Sequence, residues 1–422
     1  MTSPLARPVS ERTGVTLAFT LSGVLLASFV SRLADIRASL DLTNGQLGLL
    51  LFAASAGSVS ALPLAGRVVE RWGTAGAVRG ASCASAAAML VAGVGATVVD
   101  LAWLAAAGLF VYGVGFSLWD VAMNVEAAEV ERRAGRTLMP RFHAMWSVGS
   151  IAGSVVGIPF AAVPVPVVWH LALVGLVVVG GALRGSAAFP TAEGGAEDGA
   201  EDGAAPDVGA PGPEPVGVRG RSAWREPRTL ALGVMVLTFA AVEGSANDWL
   251  TLAVIDGYDT AHWVGVAGYA VFVCCMTLGR WFGGLALDRY GRVRTLWATA
   301  AAATAGLLLT VYAGHLGLAL VGVAVWGLGA SLGFPVGMSA AADDPARAPA
   351  RVAVFSTIGY TAFLTGPPVL GWLGDHVGTL RSLLVVACLM LPAAAAALAA
   401  RPAPGAAGRV RTAGEVTPRT DA

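Results

Sequence analysis

Lysine is absent from the 422 residues, so all 27 basic side chains are arginines. Charge of either sign is scarce, at 13% of positions, where a soluble domain carries roughly a quarter. Most of the surface must therefore face something other than water. The 27 acidic residues balance the arginines to a formal net charge of zero. That balance gives no hint of a nucleic-acid partner, and what matters is where the charges sit. Cysteine is nearly absent: Cys83, Cys274, Cys275 and Cys388 all fall inside apolar runs. Their spacing suits neither a metal site nor a disulfide framework, and they read as small hydrophobes. Five histidines are too few and too scattered to supply metal-ligand or nucleophile–base spacing, which argues against an enzyme, a metal and a cofactor.

Hydrophobic residues make up 56% of the chain, and they come in runs of the roughly 20 residues that a membrane helix needs. Six runs precede a polar interruption: 15–33, 47–65, 77–98, 101–124, 144–163 and 167–183. Six follow it: 230–255, 263–287, 295–313, 316–338, 352–373 and 383–399. The expected fold is an all-α membrane protein of twelve transmembrane helices. The first run is too long for a signal peptide and lacks an A-x-A cleavage site. The predicted organisation is an N-terminal bundle (1–189), a cytoplasmic linker (190–228), a C-terminal bundle (229–401) and a cytoplasmic tail (402–422). The linker contains EGGAEDGAEDGAAPD and then Arg219, Arg221, Arg225 and Arg228. It cannot bury enough apolar surface to fold, and reads as a flexible connector or a regulatory segment.

Arginines mark every even connection and both ends of the chain, whereas the odd connections hold only Arg32, Arg37 and Arg381. By the positive-inside rule, both termini and the even connections are cytoplasmic. His170, His262, His315 and His376 then fall at the outer rim.

The chain also repeats itself. Gly66-Arg-Val-Val-Glu70-Arg71-Trp-Gly73 in the second connection matches Gly284-Leu-Ala-Leu-Asp288-Arg289-Tyr-Gly291-Arg292 in the eighth. Both read G-x-x-x-[DE]-R-x-G, 218 residues apart (284 minus 66). Gly115-Phe116 recurs as Gly333-Phe334 at the same offset (333 minus 115). Two duplicated six-helix units follow, and parallel repeats of this kind place a substrate near the midplane between the halves.

The paired loops resemble the signature of the major facilitator superfamily, and the likeness covers nearly the whole chain. In that family the loop acid pairs with arginine and helix-end dipoles, latching the cytoplasmic side in the outward-open state. The resemblance makes Glu70 and Asp288 the latch acids, and Arg71, Arg289 and Arg292 their basic partners. Gly66, Gly73, Gly284 and Gly291 complete the motif. Glu70 departs from the usual Asp, and Thr74 replaces a frequent basic residue, which implies a weaker N-terminal latch. GVGFSLWDVAMNVEA (113–127) is similar to the fourth helix of fucose-permease-like sugar symporters. That likeness assigns their acid and following Asn to Asp120 and Asn124. HAMWSVGSIAG (143–153) and VEGSANDW (242–249) look like an uncharacterised bacterial branch near those permeases.

Charges at membrane depth need a reason. Asp120 lies about 18 Å above Arg132 at 1.5 Å per residue, near the bilayer centre, with Asn124 one turn below. Glu243 lies about 22 Å above Arg228, with Asn247 one turn outward. A carboxyl held out of water takes up a proton more readily, so Asp120 and Glu243 are the candidate proton-coupling residues, a structural hydrogen bond being the alternative for each. Arg280 reads as a brace between the eighth and eleventh helices, or as a partner for an anion or a deprotonated acid. Candidate substrate-binding residues are Asn124, Trp146, Asn247, Arg280 and Tyr360. Trp119 and Trp249 also stand near the presumed cavity, where aromatics stack on ligands or serve packing. Arg32 and Asp35 form an expected interfacial pair, Glu126 belongs to a solvated helix end, and His143 opens the fifth helix. Gly149, Gly153 and Gly157, four apart, allow close helix packing. Gly153 precedes Ser154 where drug antiporters of the superfamily have Gly-Pro, which favours import.

The resulting expectation is a secondary active transporter, a proton-coupled symporter of a small polar molecule, with sugars among the candidates. A proton-antiport exporter and a non-transporting receptor or scaffold are the alternatives. The expected partners are the substrate, protons and the lipid bilayer of the cell membrane, with a monomeric chain, no cofactor and no nucleic acid.

Overall fold

The computed structural model describes residues 10–136, 138–189, 222–344 and 347–401. Most of the predicted linker and all of the tail beyond Arg401 lie outside them. Among the described residues, ten helices are long and apolar enough to cross a membrane. Two of these, Asn44–Thr97 and His262–Tyr312, are 54 and 51 residues long. Each is interrupted once by a non-helical glycine: Gly73 (φ 66°, ψ 170°) and Gly291 (φ 76°, ψ 167°). That left-handed φ costs an L side chain energy and costs glycine little. The two glycines are themselves 218 residues apart (291 minus 73), so the repeat extends to the backbone dihedral angles.

Divided at these breaks, the ten helices give twelve segments. We number them α1 (Glu11–Ser39), α2 (44–72), α3 (74–97), α4 (Ala102–Ala134), α5 (Met139–Ala162) and α6 (Val167–Ser186) in the N-terminal half. The C-terminal half has α7 (Pro227–Tyr258), α8 (262–290), α9 (292–312), α10 (Leu316–Ala341), α11 (Ala350–Val377) and α12 (Thr379–Ala400). The helix α7 starts three residues earlier than its apolar run, because Pro227 suits a first turn. The helix α1 runs six residues past its apolar run, through a bend at Arg32, as the short amphipathic stretch Leu33–Ser39.

Large apolar side chains cover the outside: Trp103, Trp169, Leu176, Trp281, Leu285 and Trp372 are all exposed. A water-facing surface does not carry that much apolar area, whereas lipid does. Inside, small residues set the spacing. A Cβ on Gly149 would lie 1.9 Å from the Thr20 carbonyl oxygen, one on Gly153 2.6 Å from that of Val24, and one on Gly157 2.4 Å from Ser31 Oγ. The glycine stripe of α5 therefore seats α1 backbone to backbone.

The halves meet along α2 with α11 and α5 with α8. Glu11 of α1 pairs with Arg133 at the end of α4, and Arg228 of α7 donates to the Ala399 and Arg401 carbonyls at the end of α12. Both described chain ends thus lie at one end of the bundle, here called the termini end. At the opposite, far end Arg37 makes a bidentate pair with Asp256, both contacts at 2.6 Å. His262 Nδ1 stands 3.2 Å from Asp35, and Asp375 accepts three hydrogen bonds from residues 43–45. Among the described residues, the ion pairs joining the two halves sit at this far end, so the bundle is closed there.

Candidate functional site

A cavity of about 200 Å³ lies between the halves. Phe29 and Leu33 of α1, Ser55 and Ser58 of α2, and Tyr112 and Phe116 of α4 form one wall. Asn247 and Asp248 of α7, with Tyr360 and Phe363 of α11, form the other. A larger groove of about 540 Å³ beside Phe282, Tyr290 and Arg294 belongs to the C-terminal half alone and touches none of the intramembrane acids.

Asp120 sits on α4 beside this cavity, within electrostatic reach of Tyr360 across the interface. Asn124 donates through Nδ2 to the Asp120 carbonyl at 2.8 Å and to Oδ1 at 3.3 Å. The i, i+4 spacing read from the sequence therefore produces a contact, though its shorter bond goes to backbone. Among the described residues, no arginine pairs with Asp120.

Glu243 is built differently. Arg280 Nη2 donates to its Oε2 at 2.9 Å, and Arg280 Nε donates to the Ser331 carbonyl at 3.3 Å. That carbonyl is free because α10 bends at Ser331–Leu332. Arg280 thus ties α8 to α7 and α10, and the expected brace to α11 is not the contact made. His143 of α5 lies within reach of the Arg280 charge and edge-on to Phe19, with ring centroids 5.1 Å apart.

Between these acids α7 carries one π turn, Ala246–Leu250. Such turns widen the helix by one residue and occur frequently at functional sites. Here the turn presents Asn247 and Asp248 together. Asn247 Oδ1 accepts the Tyr269 hydroxyl at 3.0 Å. Asp248 makes no hydrogen bond or ion pair among the described residues, and Tyr269 is within electrostatic reach of both Asp248 and Glu243. Sequence reading passed over Asp248, although an acid within an apolar run is a signal in itself.

Several residues stand elsewhere than expected. Trp119 and Trp249 are fully buried core side chains whose indole N–H groups have no partner among the described residues, not cavity walls. Trp146 is half-buried on α5, its carbonyl against Gly23 of α1. Tyr360 is exposed to the cavity at 42%. Glu126 is buried and accepts from Thr74, so the solvated helix end begins only at Glu129. The Arg32–Asp35 pair forms at 3.1 Å, but Arg32 is buried and also donates to the Phe160 and Val165 carbonyls. His170, in the first turn of α6, is buried in a stack on Phe160.

At the termini end Glu70, Arg71, Asp288 and Arg289 are exposed, and Arg289 lies over the Tyr290 ring. A Cβ on Gly66 or Gly284 would meet nothing within 4 Å. Arg292 pairs instead with Asp343, just beyond α10, at 2.7 Å, inside its own half. In the N-terminal half Thr74 occupies the matching place and bonds Glu126 of α4. The repeat is thus visible in contacts, with a hydroxyl replacing a guanidinium.

Two helical halves enclosing a central cavity lined by an aspartate are the build of a membrane transporter. The sequence matches the Major Facilitator Superfamily over residues 14–344 and 257–420, and the chain belongs to that family, whose members are transporters and not enzymes. It is 29% identical over 409 residues to an uncharacterised MFS-type transporter of Yersinia pestis, covering 93% of this chain and 96% of that one. It is 28% identical to an uncharacterised transporter of Sinorhizobium fredii over 86% and 90% of the two chains. Among solved structures, a single-residue mutant of the nucleoside transporter NupG aligns with a TM-score of 0.73 at 13% identity, over 93% of this chain and all of that one. A D-xylose-proton symporter aligns at 0.70 with 14% identity, over 94% and 98%. The Escherichia coli fucose:proton symporter aligns at 0.56 with 15% identity, over 91% and 98%.

Proposed function

We propose that this chain is a secondary active transporter of the cell membrane that moves a small polar molecule inward by proton symport and alternating access. The observation that carries this reading is the contrast between Asp120 and Glu243. Glu243 has a guanidinium at 2.9 Å as its fixed partner. Asp120 has only the amide of Asn124. An unpaired charge at bilayer depth costs about 2.5–3.5 kcal/mol, so Asp120, unlike Glu243, bears a charge that is tolerated only when it can reach water or a counter-charge. Protonation that depends on which side is open is what couples a proton to a conformational cycle. Glu243 then serves as the fixed partner of Arg280 and not as a second proton carrier.

The arginine distribution supports a cytoplasmic termini end. On that reading the closed far end is external, and the structure is the inward-facing form with its cytoplasmic latch released. Glu70 and Asp288, with Arg71, Arg289 and Arg292, would engage in the opposite form. Asn124, Asn247, Tyr360 and Arg280 lie close enough to the cavity or its acids to contact substrate, and Trp146 is the weakest of the proposed contacts. Exchange of labelled substrate between the two sides of a liposome containing the purified protein tests the transport reading. Absence of exchange for every ligand that binds would leave a receptor or scaffold.

A further inference from the structure

The charges around the cavity do not balance. Asp120, Glu243 and Asp248 face a single intramembrane guanidinium among the described residues, Arg280, which is committed to Glu243 at 2.9 Å. The remaining charges near the far end answer one another: Arg32 with Asp35, and Arg37 with Asp256. His143 stands by Arg280 and not by Asp248. Of the two acids that no arginine answers among the described residues, Asp248 is the one that lines the cavity itself. Asp248 has no donor among the described residues; the Tyr269 hydroxyl, within electrostatic reach of it, donates to its neighbour Asn247. A carboxylate at membrane depth without a donor is costly, and the π turn that displays it departs from regular helix. Both features are accounted for by a ligand that brings a positive charge.

The walls agree. Phe29, Tyr112, Phe116, Tyr360 and Phe363 line the same cavity as this carboxylate, and an aromatic face attracts a cation by its quadrupole. At about 200 Å³ the space is smaller than the roughly 300–1,000 Å³ of pockets for drug-sized ligands.

We infer that Asp248 is the substrate-charge receptor of this cavity, and that the transported molecule is a small organic cation: a protonated amine on a compact ring. The inference rests on the cavity being the transport site proposed above. It is independent of whether Asp120 carries the proton, because binding needs no gradient.

The test compares amines with alcohols of the same skeleton on purified full-length protein: cyclohexylamine with cyclohexanol, benzylamine with benzyl alcohol, tyramine with tyrosol. Binding is read from thermal stabilisation and titration calorimetry. At least one amine should bind ten-fold or more tightly than its alcohol. Asp248→Asn should remove that preference and Asp248→Glu should keep it. The inference is overturned if alcohols bind as well as amines, if no amine binds, or if the preference survives Asp248→Asn. The wild-type comparison stands even if the Asn variant fails to fold. Proton-driven accumulation in proteoliposomes reports separately on the coupling reading.

Discussion

Asp375, near the end of α11, caps a helix that belongs to the other half: its carboxylate accepts the backbone N–H of Asn44 at 2.7 Å. The Gly45 N–H at 2.9 Å and the Thr43 hydroxyl at 3.0 Å complete the contact. The first turn of α2 is already closed by a capping box between Thr43 and Gln46, so the acid adds charge at the positive end of a helix dipole. Because the bond crosses the interface, it exists only while the far end is closed. Asp375 is exposed, which holds its contribution to roughly 1 kcal/mol. Asp375→Ala should therefore raise the fraction open at the far end about five-fold. A cysteine at Ser58 in a cysteine-free background, labelled by an impermeant thiol reagent from outside, reads that fraction. Unchanged labelling would show that the cap contributes nothing to closure.

The latch acids should act in the opposite sense. Asp288→Ala removes a charge expected to stabilise only the form closed at the termini end, and should shift the population further toward the structure described. Exposed ion pairs contribute about 0.2–1 kcal/mol, so the shift is at most about five-fold. Glu70→Ala should shift less, because Thr74 replaces the basic partner that Arg292 provides in the C-terminal half. Spin-label distances across the termini end would measure both, and equal effects would refute the asymmetry.

Gly284 offers a steric test. Its added Cβ meets nothing within 4 Å, and Val in place of Gly costs the helix nothing. Gly284→Val should therefore fold and keep its ligand binding. If the motif packs tightly in the other conformer, overpacking of about 1–3 kcal/mol falls on that conformer alone and transport slows by roughly five- to a hundred-fold. Wild-type transport rates in Gly284→Val would mean that the loops never approach closely.

Outside the membrane, Glu226 joins the start of α7 to α11 through Arg347 at 2.8 Å and Arg351 at 2.7 Å. Burial pushes its carboxyl upward, but hydrogen bonds from Arg351 and Thr229 and the charges of Arg351 and Arg347 prevail, holding it below its ordinary 4.5. A depressed pKa stabilises the fold fully above the unfolded value and loses that contribution as pH falls through the folded one. Thermal stability should thus decline below about pH 4.5, and Glu226→Gln should flatten that decline while lowering stability at pH 7. An identical acid limb in both proteins would remove Glu226 from the account.

The twelve apolar segments, the duplication and the α5 glycine stripe were legible because each depends on spacing along one helix. Gly73 and Gly291 were legible as a repeated motif, but not as the left-handed breaks that join α2 to α3 and α8 to α9. What escaped depends on neighbours or on departures from the regular helix. Glu126 looks solvated in its acidic stretch, but it is buried against the Thr74 hydroxyl of another helix, with Arg133 3.7 Å from its other oxygen. On a regular helix Asp248 lies about 140° around from Glu243 at 100° per residue, which hid it from a search along one face. The π turn changes that register. Arg280 was read as reaching α11, because nothing in the sequence places the bend at Ser331 that offers it a carbonyl.

Asp120→Asn tests the central claim most directly. The amide preserves size and the Asn124 neighbourhood but cannot carry a proton through the cycle. With any ligand that binds the purified protein, two activities are measured in proteoliposomes from one preparation: accumulation driven by an imposed pH gradient, and exchange without a gradient. The account predicts that the variant loses accumulation and keeps exchange. Accumulation that survives in Asp120→Asn would contradict it.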